Sequence, residues 1–406
     1  MAEHRTPAWG RLPADGHLLH GTDPAAEETL SILRAHAAGN DAAGELSAQT
    51  VEALASSRVS RLLTPRQYGG HQADLWALTD VTAQLARADG SAAWVGMIFA
   101  VTNWLACLFP QEAVEEVFGA DPDTRVSGVA APTGTALPAE GGWRLSGRWS
   151  YASGGPHATW AVLGTMLTDP DGHIADQALV LVPASQLGLE RTWDGAGMRA
   201  TRSDTFHAED VFVPAHRVLS VPAASQGMHP AAAFPGEALY RSAFGPMLIL
   251  CLAGPLLGLG RAGLELVIEQ AGVKPLAFTR YARQADAVVV QAQIAQAALQ
   301  LEAAEFLIHR AAAEVDEGAR VDRPLTPAAR ARIRAQAGYA AQQVLQALQT
   351  LLDTHGSGSF SASSDLQRIW RDANTAARHA GLVPAVGYEV FGKSLLGNEE
   401  TISLMV

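Results

Sequence analysis

The chain has 406 residues, of which 48% are hydrophobic and 17% are charged, a balance typical of a compact protein with a large buried core. Its formal net charge of −12 argues against a nucleic-acid-binding protein, because such proteins usually present a basic patch. The same acidic balance argues against docking on an anionic membrane.

The two cysteines, Cys107 and Cys251, lie in apolar runs, which indicates buried free thiols and not a disulfide framework. Neither a CxxC nor an HExxH pattern occurs, so we expect no bound metal. The first 25 residues lack the apolar core of a secretory signal. The expected location is therefore the cytoplasm.

The first part of the chain is predicted to be helical. Residues 1–25 look like a loose arm, and alanine-rich segments separated by short breaks follow up to Phe118. The run SAAWVGMIFAVTNWLACLF, which begins at Ser91, is apolar on nearly every side and predicts an interior helix. Trp94 belongs to this helix, either as a core residue or as part of a substrate pocket.

The composition changes after residue 121. Residues 125–219 are rich in Gly, Thr, Val and Trp, with turn signals at short intervals, and runs such as Ala178–Val182 suit strands. This segment predicts a small β domain, either a sandwich or a barrel. The predicted domains are an N-terminal helical domain at 1–121, the β domain at 122–225 and a C-terminal helical bundle at 226–406.

Long helical patterns return after the β domain. Thr326-Pro327 is a good helix start, with a capping residue followed by proline at the first helical position. Several long helices with short connections predict an antiparallel bundle. The uncharged run Phe244–Gly260 has only the minimum length of a membrane span and contains prolines and glycines, so we interpret it as a buried bundle helix.

The segment SDLQRIWRDANTAARHAG is predicted to be one helix, with a capping box at Ser364 and a stop at Gly381. Asp372 and His379 are seven residues apart and would share one face. His379 would lie in the last turn, where the helix dipole favours a protonated imidazole that can donate a proton. A solvated or structural histidine is the alternative interpretation.

Four stretches, taken in order and spacing, resemble a known family. They are WRLSGRWSYASGGPHATWAVLG from Trp143, TWDGAGMRATRSDTFHAEDVFVP from Thr192, the segment between Arg280 and Gln291, and LQRIWRDANTAARHAGL from Leu366. The chain resembles the acyl-CoA dehydrogenase superfamily over nearly its whole length. More narrowly, it is similar to the two-component flavin-dependent monooxygenases, which include aromatic hydroxylases, dibenzothiophene monooxygenase and N-oxygenases.

The resemblance implies an α+β fold that is mainly α. An N-terminal helical domain, a central β barrel or sandwich and a C-terminal antiparallel bundle would assemble into a homotetramer. A bound flavin needs an apolar wall for its ring and hydrogen-bonding groups along its polar edge. The resemblance places Trp149, Ser153 and Gly154 beside the flavin ring. The alternative is that Trp149 is a core residue and that the following residues form a surface turn. Three further hydroxyl positions match the family near the flavin: Thr133, Thr201 and Ser203.

One arginine matches the family residue that binds the flavin phosphate. Gln291 follows Arg280 by eleven residues, as in acyl-CoA dehydrogenases, and a guanidinium suits this forked contact. The Phe-Gly pair that follows the family arginine is replaced by Arg283-Gln284. FMN is therefore as plausible a cofactor as FAD, and a solvated helix arginine is the alternative interpretation of Arg280.

The base of a dehydrogenase is missing from its family positions. A dehydrogenase needs a carboxylate over the flavin, and the two family positions of that glutamate fall on Ala380 and Met247. His379, beside the first position, matches the catalytic histidine of the monooxygenase branch. Glu237 or Glu389 could still supply a carboxylate, which would make the protein an acyl-CoA dehydrogenase or another flavin oxidase.

The resemblance therefore implies a monooxygenase that receives reduced flavin by diffusion from a separate reductase and uses O2 through a flavin C4a-hydroperoxide. His379 would hydrogen-bond the peroxide or remove a proton from the substrate, and Ser153 would assist at the flavin edge. The expected substrate is a small aromatic or polyketide-like molecule. The same residues are compatible with N-oxygenation of an amine or amino sugar, and with a non-catalytic protein that binds flavin.

Overall fold

A computed structural model of the protein describes residues 24–230, 234, 236–398, 400 and 402–403. Most of the expected N-terminal arm lies outside the described residues, and the first helix begins at Pro24. The helices before the sheet are α1 (Pro24–Ala43), α2 (Ala48–Ser56), α3 (Leu75–Ala86), α4 (Gly90–Ala106) and α5 (Gln111–Phe118).

Helix α4 lies in the interior of this first helical region. The carboxylate of Asp89 accepts the backbone N–H of Ala92 and so caps the helix start. Every residue of α4 is buried, which confirms the prediction of an interior helix. The helix therefore presents Trp94, Val95 and Phe99 to neighbouring elements and not to solvent.

The central region is one seven-stranded sheet. The strands are β1 (Val126–Ala139), β2 (Gly142–Ala152), β3 (Trp160–Thr168), β4 (Ile174–Pro183), β5 (Gly188–Glu190), β6 (Asp204–Pro214) and β7 (Val218–Ser220). In space they follow the order β5-β6-β2-β1-β3-β4-β7, with β1 and β3 parallel and the other neighbours antiparallel. The register of β1 against β3 shifts between Val129 and Gly134.

The C-terminal region is helical again. Thr326 accepts the backbone N–H of Ala329, and Pro327 is the first helical residue, as predicted. The helices are α6 (Val221–Ser225), α7 (Phe244–Leu250), α8 (Ala253–Ala271), α9 (Val288–Arg320), α10 (Pro327–His355), α11 (Asp365–Ala376) and α12 (Pro384–Leu395). The order of helices, sheet and helices confirms the predicted α+β, mainly α, fold class.

The apolar run that begins at Phe244 forms α7 and the first half of α8. By length and hydropathy Phe244–Ala271 could cross a membrane, but 78% of the apolar window is buried inside the protein. This burial agrees with the interpretation of a bundle helix. Cys107 and Cys251 are both buried and free, as predicted.

The segment around the candidate histidine is not one helix. Helix α11 ends at Ala376, and His379 has an extended backbone that begins a short 3-10 turn at 380–382. The turn forms because the His379 imidazole accepts the backbone N–H of Gly381, and Pro384 then starts α12. The predicted capping box is also wrong, since the Ser364 side chain makes no capping hydrogen bond.

Candidate active site

Side chains from three regions of the chain meet at the end of strand β2. Trp94 of α4 donates its Nε1–H to Ser153 Oγ at 3.2 Å, and its ring centroid lies 5.9 Å from that of His379. Trp94 and Ser153 are each 6% exposed. The structure therefore brings together a helix residue, a strand-end hydroxyl and the candidate histidine that the sequence left far apart.

A chain of hydroxyl groups continues from this point. Ser153 Oγ lies 2.7 Å from Ser203 Oγ, and Ser203 Oγ lies 2.7 Å from Thr201 Oγ1. Thr201 Oγ1 donates to the carbonyl oxygen of Met198 at 2.8 Å. All three hydroxyl residues are buried, so the chain is fixed by the protein and not by solvent.

The backbone at this site is held in unusual conformations. Gly154 has a φ of +71°, and its N–H donates to the carbonyl of Thr201 at 2.8 Å, which joins the end of β2 to the loop that carries the other hydroxyls. A Cβ atom at Gly154 would lie 2.8 Å from the Phe99 ring and 3.0 Å from Val95. Only glycine fits here without strain, and the backbone itself forms the surface.

The loop of Met198 is anchored from the bundle. Asp372 of α11 accepts the backbone N–H of Met198 at 2.6 Å, and the Met198 carbonyl accepts both Thr201 Oγ1 and Trp193 Nε1. Met198 has a φ of +52°, a strained conformation for a residue with a side chain. Asp372 therefore fixes the position of the hydroxyl chain relative to α11. The contact of Asp372 with this loop was not predicted from the sequence.

Burial of Asp372 raises its pKa to about 7, while the Met198 N–H and the charge of Arg368 act in the opposite direction. Its Oδ1 atom is already occupied by the loop backbone. Asp372 therefore has a structural role, in which it holds the loop of Met198 against α11.

The environment of His379 corrects the predicted protonation state. The residue keeps some exposed surface, but protein atoms surround its ring. This desolvation lowers the pKa of His379 to about 4, and the positive charge of Arg334 acts in the same direction. The helix dipole does not act as predicted, because His379 lies beyond the end of α11. Gly381 N–H donates to Nδ1 at 3.0 Å, so the neutral ring carries its proton on Nε2.

Arg334 of α10 is a residue that sequence reasoning missed. It is 5% exposed and donates Nη2–H to the carbonyl of Ala380 at 2.6 Å, directly after His379. Its position in an alanine-rich helix, among residues that pack inward, could have indicated from the sequence that Arg334 is buried. The guanidinium therefore both holds the turn of His379 and disfavours a second positive charge there.

Trp149 does not lie at the candidate site. It is completely buried in the sheet core, where Nε1–H donates to the carbonyl of Gly164 at 2.6 Å. A ring with no exposed surface cannot support a flavin, so the predicted aromatic wall at Trp149 is wrong and the alternative of a core tryptophan is correct. Strand β2 alternates its side chains, and this one points into the sheet core.

Two other predicted residues lie apart from the hydroxyl chain. Thr133 Oγ1 donates to the Arg148 carbonyl at 2.7 Å on the exposed part of β1. Arg280 lies in the exposed loop between α8 and α9 and not on a helix. Their roles toward a flavin stay predictions.

The two carboxylates considered as relocated bases are engaged elsewhere. Glu237 accepts a hydrogen bond from Gln72, and Glu389 lies 4.0 Å from Lys393, both at exposed positions. Among the described residues, the carboxylate that approaches the hydroxyl chain is that of Asp372. It contacts the chain only through Met198, whose backbone N–H it accepts. The site therefore offers a neutral imidazole and hydroxyls where a dehydrogenase would need a glutamate.

Comparison with known proteins identifies the family to which this fold belongs. Residues 250–384 match the family model of the acyl-CoA dehydrogenase C-terminal domain. The solved structure of XiaF from Streptomyces sp., in complex with FADH2 and glycerol, superposes with a TM-score of 0.88 at 36% identity, over 93% of this chain and 95% of that one. The protein therefore has the acyl-CoA dehydrogenase-like fold.

Two curated relatives define the branch. The oxygenase subunit HsaA of a flavin-dependent monooxygenase from Rhodococcus jostii (strain RHA1) is 30% identical, over 91% of this chain and 96% of the relative. The oxygenase component of the FADH(2)-dependent resorcinol hydroxylase from Rhizobium sp. (strain MTP-10005) is 32% identical, over 91% and 92%. The chain belongs to the two-component flavin-dependent monooxygenases of this fold, and its cofactor is reduced flavin with O2.

The residues of the site fit such a cofactor. The flavin ring is flat, with hydrogen-bonding atoms along one edge. Gly154 offers bare backbone where a Cβ would leave no room, and Ser153 offers a hydroxyl beside it. Bare backbone beside a hydroxyl that can accept a hydrogen bond suits the polar edge of a flavin.

Proposed function

We propose that this protein is the oxygenase component that hydroxylates a small aromatic or polyketide-like molecule through the C4a-hydroperoxide of a reduced flavin supplied by a separate reductase. The observation that carries this proposal is the hydroxyl chain from Ser153 to Thr201, bordered by Trp94 and by a neutral His379. A site with these groups, and with no glutamate base among the described residues, suits oxygen transfer better than proton removal from carbon.

The residues divide between flavin and substrate. Ser153 and Gly154 lie at the flavin edge, with Thr201 and Ser203 behind Ser153. Reduced flavin, when bound there, is the group that would react with O2. His379 donates its Nε2–H to the oxygen that is transferred. A neutral ring whose Nδ1 already accepts from Gly381 has no lone pair left for proton removal, so we assign it the role of donor and not of base.

A small apolar pocket lies next to the site. Val95 and Phe99 line it and also approach the backbone of Gly154. Apolar side chains of α2 form much of the remaining wall, with Arg125 and His157 among its polar residues. This apolar lining beside the site supports an apolar substrate over a charged one.

Exposed apolar side chains support the proposed homotetramer. Phe278 is fully exposed next to Arg280, and further large apolar residues are exposed on α9 and at the end of α12. Burial against other copies of the chain would cover this surface. Arg280 would then bind the flavin phosphate at such an interface, in either FMN or FAD. The exposed apolar residues on α9 and α12 are Val288, Val289, Leu299, Phe306 and Leu395.

We expect the enzyme to act in the cytoplasm, with a separate reductase as its transient partner. Two buried free thiols fit a reducing compartment. The relatives named as oxygenase subunit or oxygenase component support a separate reductase.

The test supplies the purified protein with anaerobically reduced FMN or FAD and then mixes it with oxygenated buffer containing simple phenols such as resorcinol. We expect hydroxylated product that depends on reduced flavin, and Ser153→Ala should release hydrogen peroxide in place of product. A parallel reaction contains acyl-CoA substrates with an artificial electron acceptor. Oxidation of acyl-CoA without oxygen transfer would contradict the proposal.

A further inference from the structure

The hydroxyl chain has a single hydrogen-bond direction, and Thr201 sets it. A carbonyl oxygen can only accept, so the 2.8 Å contact between Thr201 Oγ1 and the Met198 carbonyl uses the one hydrogen of the Thr201 hydroxyl. Thr201 must then accept from Ser203. Because each hydroxyl has one hydrogen, Ser203 in turn accepts from Ser153.

The other end of the chain agrees with this direction. Trp94 Nε1 is a donor only, and it donates to Ser153 Oγ at 3.2 Å. The hydrogen of Ser153 is thus committed to Ser203, and one of its two lone pairs is committed to Trp94. Ser153 can offer a ligand one remaining lone pair, which makes it an acceptor. Water does not replace these partners, since Thr201 and Ser203 are 1% and 6% exposed.

The two redox states of a flavin differ at the atom that Ser153 would meet. N5 of oxidised flavin has a lone pair and no hydrogen, whereas N5 of reduced flavin carries a hydrogen and donates. Resting on the proposed function, which puts Ser153 at this edge, we propose that Thr201 is a specificity-determining residue that makes the site prefer reduced over oxidised flavin. Oxidised flavin would require Ser153 to turn its hydrogen toward N5, which removes the hydrogen bond to Ser203.

Two substitutions release this constraint. Thr201→Val leaves Ser203 free to donate to Ser153, so the Ser153 hydrogen can turn toward N5. Ser203→Ala removes the acceptor of Ser153 directly and has the same expected effect. Both variants should bind oxidised flavin more tightly relative to reduced flavin.

The experiment measures the dissociation constants of oxidised and reduced FMN and FAD by anaerobic titration, with flavin fluorescence or calorimetry as the readout. We expect the ratio of the oxidised to the reduced constant to fall about tenfold in either variant, the size of one neutral hydrogen bond. Thr205→Val is the matched control. It removes a buried hydroxyl that bonds to Ser150 and Thr192, outside the chain, and should leave the ratio unchanged.

Circular dichroism establishes which variants fold, and Ser203→Ala carries the test if Thr201→Val does not. An unchanged ratio in a folded variant overturns the inference and leaves the proposed function standing. A wild-type protein that binds neither form of flavin overturns both.

Discussion

His379 accepts a hydrogen bond on Nδ1 from the backbone N–H of Gly381 at 3.0 Å. This contact, together with a pKa lowered to about 4 by desolvation and by Arg334, makes the imidazole a neutral ring with its proton on Nε2. A donor of this kind can stabilise a developing negative charge on oxygen. The arrangement accounts for a histidine at the site without requiring that it titrate near neutral pH.

Replacement of His379 by alanine should separate oxygen consumption from product formation. Without the Nε2–H donor, we expect the ratio of hydrogen peroxide to hydroxylated product to rise roughly tenfold or more, the scale of general acid–base effects. His173→Ala is the control, since His173 is an exposed residue of the turn before β4. Equal coupling in His379→Ala and in the control would remove His379 from the mechanism.

The pH dependence of coupling tests the protonation state. A group with a pKa of about 4 is neutral at and above neutral pH, so His379 should contribute no change in coupling between about pH 6 and pH 9. As the pH falls toward 4, the ring gains a proton and coupling should change. Measurement of peroxide and product over this range, combined with NMR titration of the His379 ring, tests whether the ring is neutral at neutral pH. A midpoint near 6.5 in the NMR titration would contradict the assigned environment.

How much of this site the sequence could predict depends on the range of the interactions. The family resemblance supplied Ser153 and Ser203. Local apolar periodicity identified α4 as interior, because periodicity is a property of neighbouring residues. Strand alternation showed that Trp149 faces one side of the sheet but not which side.

The charge state of His379 could not be predicted from the sequence, because Arg334, which disfavours a charged ring, belongs to another helix. The anchoring of Met198 by Asp372 likewise joins the loop before β6 to the bundle. Contacts of this kind follow from packing, and packing is not encoded in local periodicity. The family resemblance supplied the position of His379, and the structure supplied its chemistry.

Gly154 provides a test of the close backbone approach at the site. Gly154→Ala adds a Cβ atom 2.8 Å from the Phe99 ring at a φ of +71°, so we expect both lower stability and weaker flavin binding. Gly141→Ala is the matched control, because Gly141 has a φ of +75° and nothing within 4 Å of its added Cβ. The shared cost of the positive φ is about 1 kcal/mol. Flavin titration and urea unfolding of both variants separate backbone strain from the contact, and equal losses would argue against a close approach.

The stability of the protein should fall as the pH rises through the range set by Asp316. Asp316 of α9 accepts the backbone N–H groups of Leu75 and Trp76 at the start of α3, so it joins the bundle to the first helical region. Its burial and then the nearby charge of Asp74 raise its pKa to about 7. The folded state therefore keeps a proton that the unfolded chain has lost between about pH 4 and pH 7, and stability decreases over this interval.

Asp74→Asn should reduce that decrease. The variant removes the neighbouring negative charge and keeps a side-chain oxygen that can accept the Ala77 N–H at the start of α3. From pH 5 to pH 8, the free energy of unfolding should fall less in the variant than in the wild type, by an amount on the order of 1 kcal/mol. Urea unfolding at both pH values measures this difference, with the exposed Asp353→Asn on α10 as control. A difference between Asp74→Asn and wild type that does not change with pH would show that the two carboxyl groups do not interact.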